Sequence, residues 1–145
     1  AAAFSAAARQ YSQYGWALIR LNGKIPHNPK WQDARPELPE LAAGKWAQWG
    51  QRFNMGVVLG PSGLAVLEYD TEAAKDKLRE LLGGDWPIVP TVSSGGRSRH
   101  LYFADTGLRP ASKDGLELRC GRQQCVLPPS VHPGTSRAYE WVIRP

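Results

Sequence analysis

The sequence predicts an α+β fold, a mixed, mostly antiparallel sheet with flanking helices, from three observations. Residues 71–84, "TEAAKDKLRELLGG", place Ala74, Leu78, Leu81 and Leu82 at helical spacing, with Glu72 near the start and Gly83 and Gly84 beyond the end. Most of the chain after residue 86 reads as short apolar runs separated by Gly, Pro, Asp and Ser, the pattern of strands and turns. Between them, "MGVVLGPSGLAVLEYD" reads as strands over 56–59 and 64–70 joined by a turn through Pro61, Ser62 and Gly63, a hairpin signal.

The elements follow in order. "AAAFSAAARQYSQYG" is rich in good helix formers and stops at Gly15. "WALIRL" then reads as a strand. Four prolines at 26, 29, 36 and 39 make 22–39 an ordered loop, since each removes a backbone donor and fixes φ. "LAAGKWAQWG" reads as a short helix. After the 71–84 helix, strands are expected over 91–93, 99–103, 116–119, 123–127 and 139–143.

With 145 residues, 42% hydrophobic and 21% charged, the chain has the size and balance of one globular domain, and the composition excludes a disordered chain. The domain is taken as 1–145, and its first residue, which is not Met, suggests excision from a longer protein. A net charge of +5 favours a polyanionic partner. No apolar run reaches the roughly 20 residues that span a bilayer, and no signal peptide is legible, so no membrane partner is expected. Cys120 and Cys125 form one C-x4-C pair without the other two ligands of a structural zinc site. They flank "GRQQ", a tight turn that would let them approach across a hairpin, and read as reduced, buried residues of an intracellular protein.

Strand alternation locates the chemistry. In "LAVLEYD" Glu68 and Asp70 fall on one face, where adjacent carboxylates repel unless they hold a cation or end in solvent. In "SSGGRSRHLYF" Ser98 and His100 share a face and Arg97 and Arg99 take the other, behind glycines that let a ligand approach the backbone. That stretch fits an anion site or an ordinary hairpin. In "LELR" Glu117 and Arg119 share a face, opposite Leu116 and Leu118. If Glu117 neighbours Glu68 and Asp70, three carboxylates and a histidine converge, a set suited to two divalent metals that activate a 3′-hydroxyl and stabilise departing pyrophosphate. Trp16, Trp86 and Trp141 read as core, whereas Trp31 beside Lys30 is the tryptophan best placed for a ligand. His27 and His132 read as surface-loop residues and not as ligands.

In this order, "GWALIRLNGKIPHNPKWQDA", "NMGVVLGPSGLAVLEYD", "SSGGRSRHLYF" and "LELRCGRQQCVLPPSVHPGTSRAYEW" resemble the primase-polymerase (Prim-Pol) domain of the archaeo-eukaryotic primase superfamily. Such domains occur in plasmid, phage and prophage replication proteins. The resemblance implies a palm related to the RNA-recognition-motif fold, with helices on one face and the acids on the other. It implies a DNA primase/polymerase that extends a primer on a DNA template with dNTP or NTP. Glu68, Asp70 and Glu117 match the acidic motif positions and would hold Mg²⁺ or Mn²⁺; Ser98 and His100 match the Ser-x-His motif that contacts triphosphate. Arg99 and Arg119 would assist there, and Lys24, Pro26 and Trp31 match a Lys-x-Pro then Trp pattern with nucleotide or template contacts. Glu68 and Glu117 stand where the family usually has Asp, and a side chain longer by one methylene alters metal distances. The alternative implied is a non-catalytic DNA- or nucleotide-binding module of a replication initiator. A nicking initiator is disfavoured, because that chemistry needs two histidines on one strand and "RHLYF" has one. A helicase domain in the same longer protein and a cytoplasmic location in a bacterial, archaeal or phage-infected cell complete the expectation.

Overall fold

The computed structural model describes residues 2–145. Helix α1 (Ala2–Gln13) and helix α2 (Pro39–Trp49) pack against each other, Phe4 stacking on Trp46 with ring centroids 5.9 Å apart and the Ser5 hydroxyl donating to the Ala43 carbonyl at 2.9 Å. Pro39 opens α2 at a position where its missing N–H costs nothing. None of the described helices is long and apolar enough to cross a membrane.

Two sheets follow, with the recorded pairings all antiparallel. The first has the order β2-β1-β3-β9, built from β1 (Ala17–Asn22), β2 (Ile25–Pro26), β3 (Asn54–Val58) and β9 (Gln124–Leu127). The second has the order β10-β5-β6-β4-β8-β7, from β4 (Leu64–Tyr69), β5 (Thr91–Ser93), β6 (Arg99–Ala104), β7 (Ala111–Lys113), β8 (Leu116–Arg119) and β10 (Glu140–Ile143). Helix α3 (Glu72–Leu81) starts at Thr71, whose side chain accepts the Ala74 N–H at 3.0 Å and satisfies one of the donors a helix N-terminus leaves unpaired. The α+β class and the antiparallel pairing are as the sequence predicts.

The hairpin expected over 56–70 does not form. β3 is already flanked by β1 and β9 and has no free edge, while β4 pairs with β6 and β8 in the other sheet. After β3 the Leu59 and Gly60 N–H groups donate to the carbonyls of Gln123 and Gly121 at 2.9 and 2.7 Å, so the chain stays attached to the first sheet. A short 3₁₀ turn, Gly60–Ser62, then carries it across. The Ser62 hydroxyl fixes the crossing by donating to the Val58 carbonyl at 2.6 Å and accepting the Ala17 N–H at 2.8 Å. The turn between β8 and β9 likewise joins different sheets, so Cys120 and Cys125 do not face each other across a hairpin; both are free and buried.

The main core lies where the sheets meet α1 and α2. Leu21, Met55, Val57 and Leu127 of the first sheet are buried with Val66, Val92 and Tyr102 of the second, and Trp46 closes the helical side. A second cluster, Ala74 and Leu78 of α3 with Tyr69, Leu101 and Leu116, covers the other face of the six-stranded sheet. By the strand period of two, Glu68 shares a face with Val66, His100 with Tyr102, and Glu117 with Arg119. That face is opposite α3, where the main core gives way to polar side chains.

Candidate active site

β4 is the central support, since it pairs with β6 on one side and β8 on the other. The register sets Glu68 directly opposite His100 across the first pair and opposite Glu117 across the second, which brings three functional side chains abreast. Ser98 donates from its hydroxyl to Glu68 Oε1 at 3.4 Å, and His100 Nε2 lies 3.3 Å from Glu68 Oε2. The Arg119 guanidinium spans the carboxylates, with Nη2 3.2 Å from Glu68 Oε2 and Nε 3.3 Å from Glu117 Oε1.

The cluster has a buried floor and an open rim. Side-chain exposure rises from 8% at His100 to 19% at Glu68, 29% at Arg119 and 40% at Glu117. Burial, with the charges of Arg119 and Lys24, pushes the His100 imidazole down to about 4, so it is neutral at pH 7. Among the buried polar atoms here, His100 Nδ1 and the Tyr102 hydroxyl make no hydrogen bond within the chain, and Glu68 Oε2 and Arg119 Nε are held by ion pairs alone. Unpaired groups of this kind are costly, and they cluster where a ligand completes the bonding.

The loop before β6 is shaped by Gly95, which adopts φ +82° and passes so close to residue 137 that a Cβ would lie 2.6 Å from the Arg137 Cβ. The loop closes through the Ser94 N–H, which donates to the Ser98 carbonyl at 3.2 Å. Arg99 points away from Glu68, donating from Nη1 to the carbonyls of Gly96 and Ser98 at 2.9 and 3.0 Å. It braces the loop.

Other expected residues are not gathered with Glu68. β4 ends at Tyr69, and the exposed Asp70 lines a separate hollow with Thr71, Lys75, Arg97 and Arg99. Trp31 opens a 3₁₀ turn and packs, half-buried, against the main core. Lys24 is exposed in the turn between β1 and β2, near enough for its charge to depress both His100 and His132.

Sequence reasoning missed two neighbours. The buried Tyr139 ring lies 6.4 Å from His100 and stacks on His132 at 5.7 Å with 23° between planes. Its hydroxyl is pushed up to about 12, by burial first and then by Glu68. His132, expected as a surface-loop side chain, is partly buried in this stack. In the sequence the region is marked only as a segment, "PPSVHP", which resembles the family's strand-to-loop stretch near the nucleotide.

The residues can be tested against a divalent cation. Glu68 and Glu117 offer hard oxygen donors side by side, and the position between them already attracts a cation, the guanidinium of Arg119. The donor chemistry therefore fits Mg²⁺ or Mn²⁺. The arrangement is not a finished cage, because among the described residues no three His, Cys, Asp or Glu side chains form a metal-ligand group.

No curated protein matches the chain in a sequence search. The family described as bifunctional DNA primase/polymerase, N-terminal, matches residues 8–145. The match includes β4, β6 and β8, and with them Glu68, His100 and Glu117. The chain belongs to the bifunctional DNA primase/polymerase N-terminal (Prim-Pol) family.

Proposed function

We propose that this domain is a template-directed nucleotidyltransferase that adds a nucleotide to a primer 3′-hydroxyl on a DNA template. The observation that supports the reading best is the register placing Glu68 between His100 and Glu117, with Ser98 and Arg119 on the same face. Acidic and anion-binding groups side by side suit a reaction in which the 3′-oxygen bonds to the α-phosphorus while the bond to pyrophosphate breaks.

In this reading Glu68 and Glu117 hold Mg²⁺ or Mn²⁺, and Asp70, one residue beyond β4, would have to turn in from its separate hollow to supply the third carboxylate. The chemistry such cations supply is activation of the 3′-hydroxyl and charge neutralisation on the leaving group. Arg119 exchanges its carboxylate partners for phosphate oxygens, which match its fork of donors equally well. His100, neutral and buried beside Ser98, offers its one ring N–H to the triphosphate, and Lys24 adds positive charge from the β1–β2 turn. Catalysis comes from positioning and preorganised charge. Trp31 and Arg99 act at one remove, as a template or nucleotide contact and as the brace of the glycine loop.

Primer extension with Mn²⁺ and labelled dNTP tests the assignment. Glu117→Gln should lower incorporation by about a hundredfold with the fold intact. An unchanged rate would reject Glu117 as part of the machinery. The second reading, a non-catalytic DNA- or nucleotide-binding module, is favoured by Arg119 occupying the cation position between the carboxylates. It predicts nucleotide binding without incorporation by the wild-type chain.

A further inference from the structure

All four carboxylate oxygens of Glu68 and Glu117 are already engaged. Glu68 Oε1 accepts from the Ser98 hydroxyl at 3.4 Å, while Oε2 lies 3.3 Å from His100 Nε2 and 3.2 Å from Arg119 Nη2. Glu117 gives both its oxygens to Arg119: Oε1 is 3.3 Å from Nε, and Oε2 accepts from Nη2 at 3.4 Å. A divalent cation that binds both side chains must therefore take oxygens from a guanidinium that occupies the same place.

The register explains how one arginine reaches both acids. Arg119 stands opposite the buried Val66 across β4 and β8, two residues beyond Glu117 on its own strand and diagonal to Glu68 on the next. Its Nη1 donates to the Gln124 carbonyl at 3.4 Å, which tethers the head group beside the carboxylates. The contacts to the acids are long for charged pairs, which close to about 2.7–2.9 Å in good geometry. The guanidinium is held by charge more than by bond geometry, so a second anion can draw it away.

Charge decides what the ligand-free site accepts. Two carboxylates and one guanidinium leave a single net negative charge to meet a doubly charged ion; without the guanidinium there are two. Arg119 does not move aside unaided, because its side chain is only 29% exposed and a sheltered charge left unpaired is costly. Its release requires another anion.

We propose that Arg119 is an autoinhibitory counter-ion, which keeps divalent cations off Glu68 and Glu117 in the resting chain and yields that place when a polyphosphate takes the guanidinium. This rests on the nucleotidyltransferase reading and adds its regulation. Metal and polyphosphate enter together, each favouring the other by the same factor.

One substitution should move two ligands in opposite directions. Mn²⁺ binding to the full chain at pH 7, without nucleotide or primer, is read from the paramagnetic resonance of the free ion. Arg119→Gln should bind Mn²⁺ roughly tenfold more tightly than the wild type. A contact that merely orients the carboxylates predicts the reverse, so equal or weaker binding by Arg119→Gln would overturn the proposal. Arg119→Lys, which keeps the charge, should bind no more tightly than the wild type; a gain like that of Arg119→Gln would overturn the role of charge. Adding Glu117→Gln to Arg119→Gln should abolish the gain, and its persistence would place the ion elsewhere and overturn the proposal. In metal-free buffer with EDTA, calorimetric titration of inorganic tripolyphosphate should show roughly tenfold weaker binding by Arg119→Gln. An unchanged affinity there would overturn release by polyphosphate. Absence of Mn²⁺ binding by both proteins at millimolar concentration would instead overturn the assignment of a cation to Glu68 and Glu117, and with it the nucleotidyltransferase reading. Should Arg119→Gln fold poorly, Arg119→Met, which keeps a long side chain without the charge, must show the same gain in Mn²⁺ affinity for the proposal to stand.

Discussion

Glu68 and Glu117 face each other directly across β4 and β8, and a single guanidinium, that of Arg119, lies within 3.3 Å of both. Two half-sheltered carboxylates so close repel, and Arg119 offsets that repulsion in the ligand-free chain. Arg119→Gln should lower stability at pH 7 by about 1–3 kcal/mol. Millimolar Mn²⁺ should recover more of the loss in the variant than it adds to the wild type. Urea midpoints at pH 7, with and without Mn²⁺, measure this; equal midpoints for both proteins would count against the pairing.

His100 predicts an acid-sensitive fold. Its imidazole titrates at about 4 in the folded chain against an ordinary value of 6.5, so the unfolded state takes up the proton first. Stability is complete above pH 6.5 and is lost as pH falls from 6.5 towards 4, by as much as about 3 kcal/mol. His100→Gln should flatten the pH dependence of the urea midpoint in that window. An equally steep curve in the variant would place the acid sensitivity elsewhere.

Ser130 fastens the loop carrying His132 to the first sheet. Fully buried, it accepts the Met55 N–H at 2.8 Å and donates to the Met55 carbonyl at 3.1 Å. Ser130→Ala would leave both backbone groups buried and unpaired, a loss of about 3 kcal/mol. Thermal unfolding should show a clearly lower Tm, whereas a shift within error would mean that the backbone finds other partners.

Gly95 is required twice over, by its left-handed φ of +82° and by its approach to Arg137. Gly95→Ala should cost about 1–2 kcal/mol from the backbone alone, and more if the Arg137 backbone cannot retreat. Gly63, with φ +69° but nothing within 4 Å of its would-be Cβ, makes the comparison: Gly63→Ala should be milder. The two Tm values in reverse order would contradict the steric part of the account.

Local signals carry far into this fold. β5 and β8 coincide with the strands expected at 91–93 and 116–119, because Pro90 and Gly115 mark where each begins. The shared face of Glu68, Ser98, His100, Glu117 and Arg119 follows from a period of two. Sheet membership does not, since the bonds from Leu59 and Gly60 to residues 123 and 121 that move β3 and β4 into different sheets join distant segments. Asp70 lies beyond the pairing of β4 with β6, which stops at Tyr69 opposite Arg99, and the chain then enters α3 with Thr71 as its cap. Tyr139 heads the strand expected over 139–143, but nothing in the sequence points it at His132, and only the closure of the loop between Val131 and Ala138 brings the two together.

Incorporation of labelled dNTP into a primed DNA template with Mn²⁺, compared between the wild-type chain and the Glu68→Ala, Asp70→Ala double variant, tests the central claim most directly. The wild type should extend the primer and the folded double variant should not, within the limit of detection. Full incorporation by the double variant would contradict the claim that this face of the six-stranded sheet performs nucleotidyl transfer.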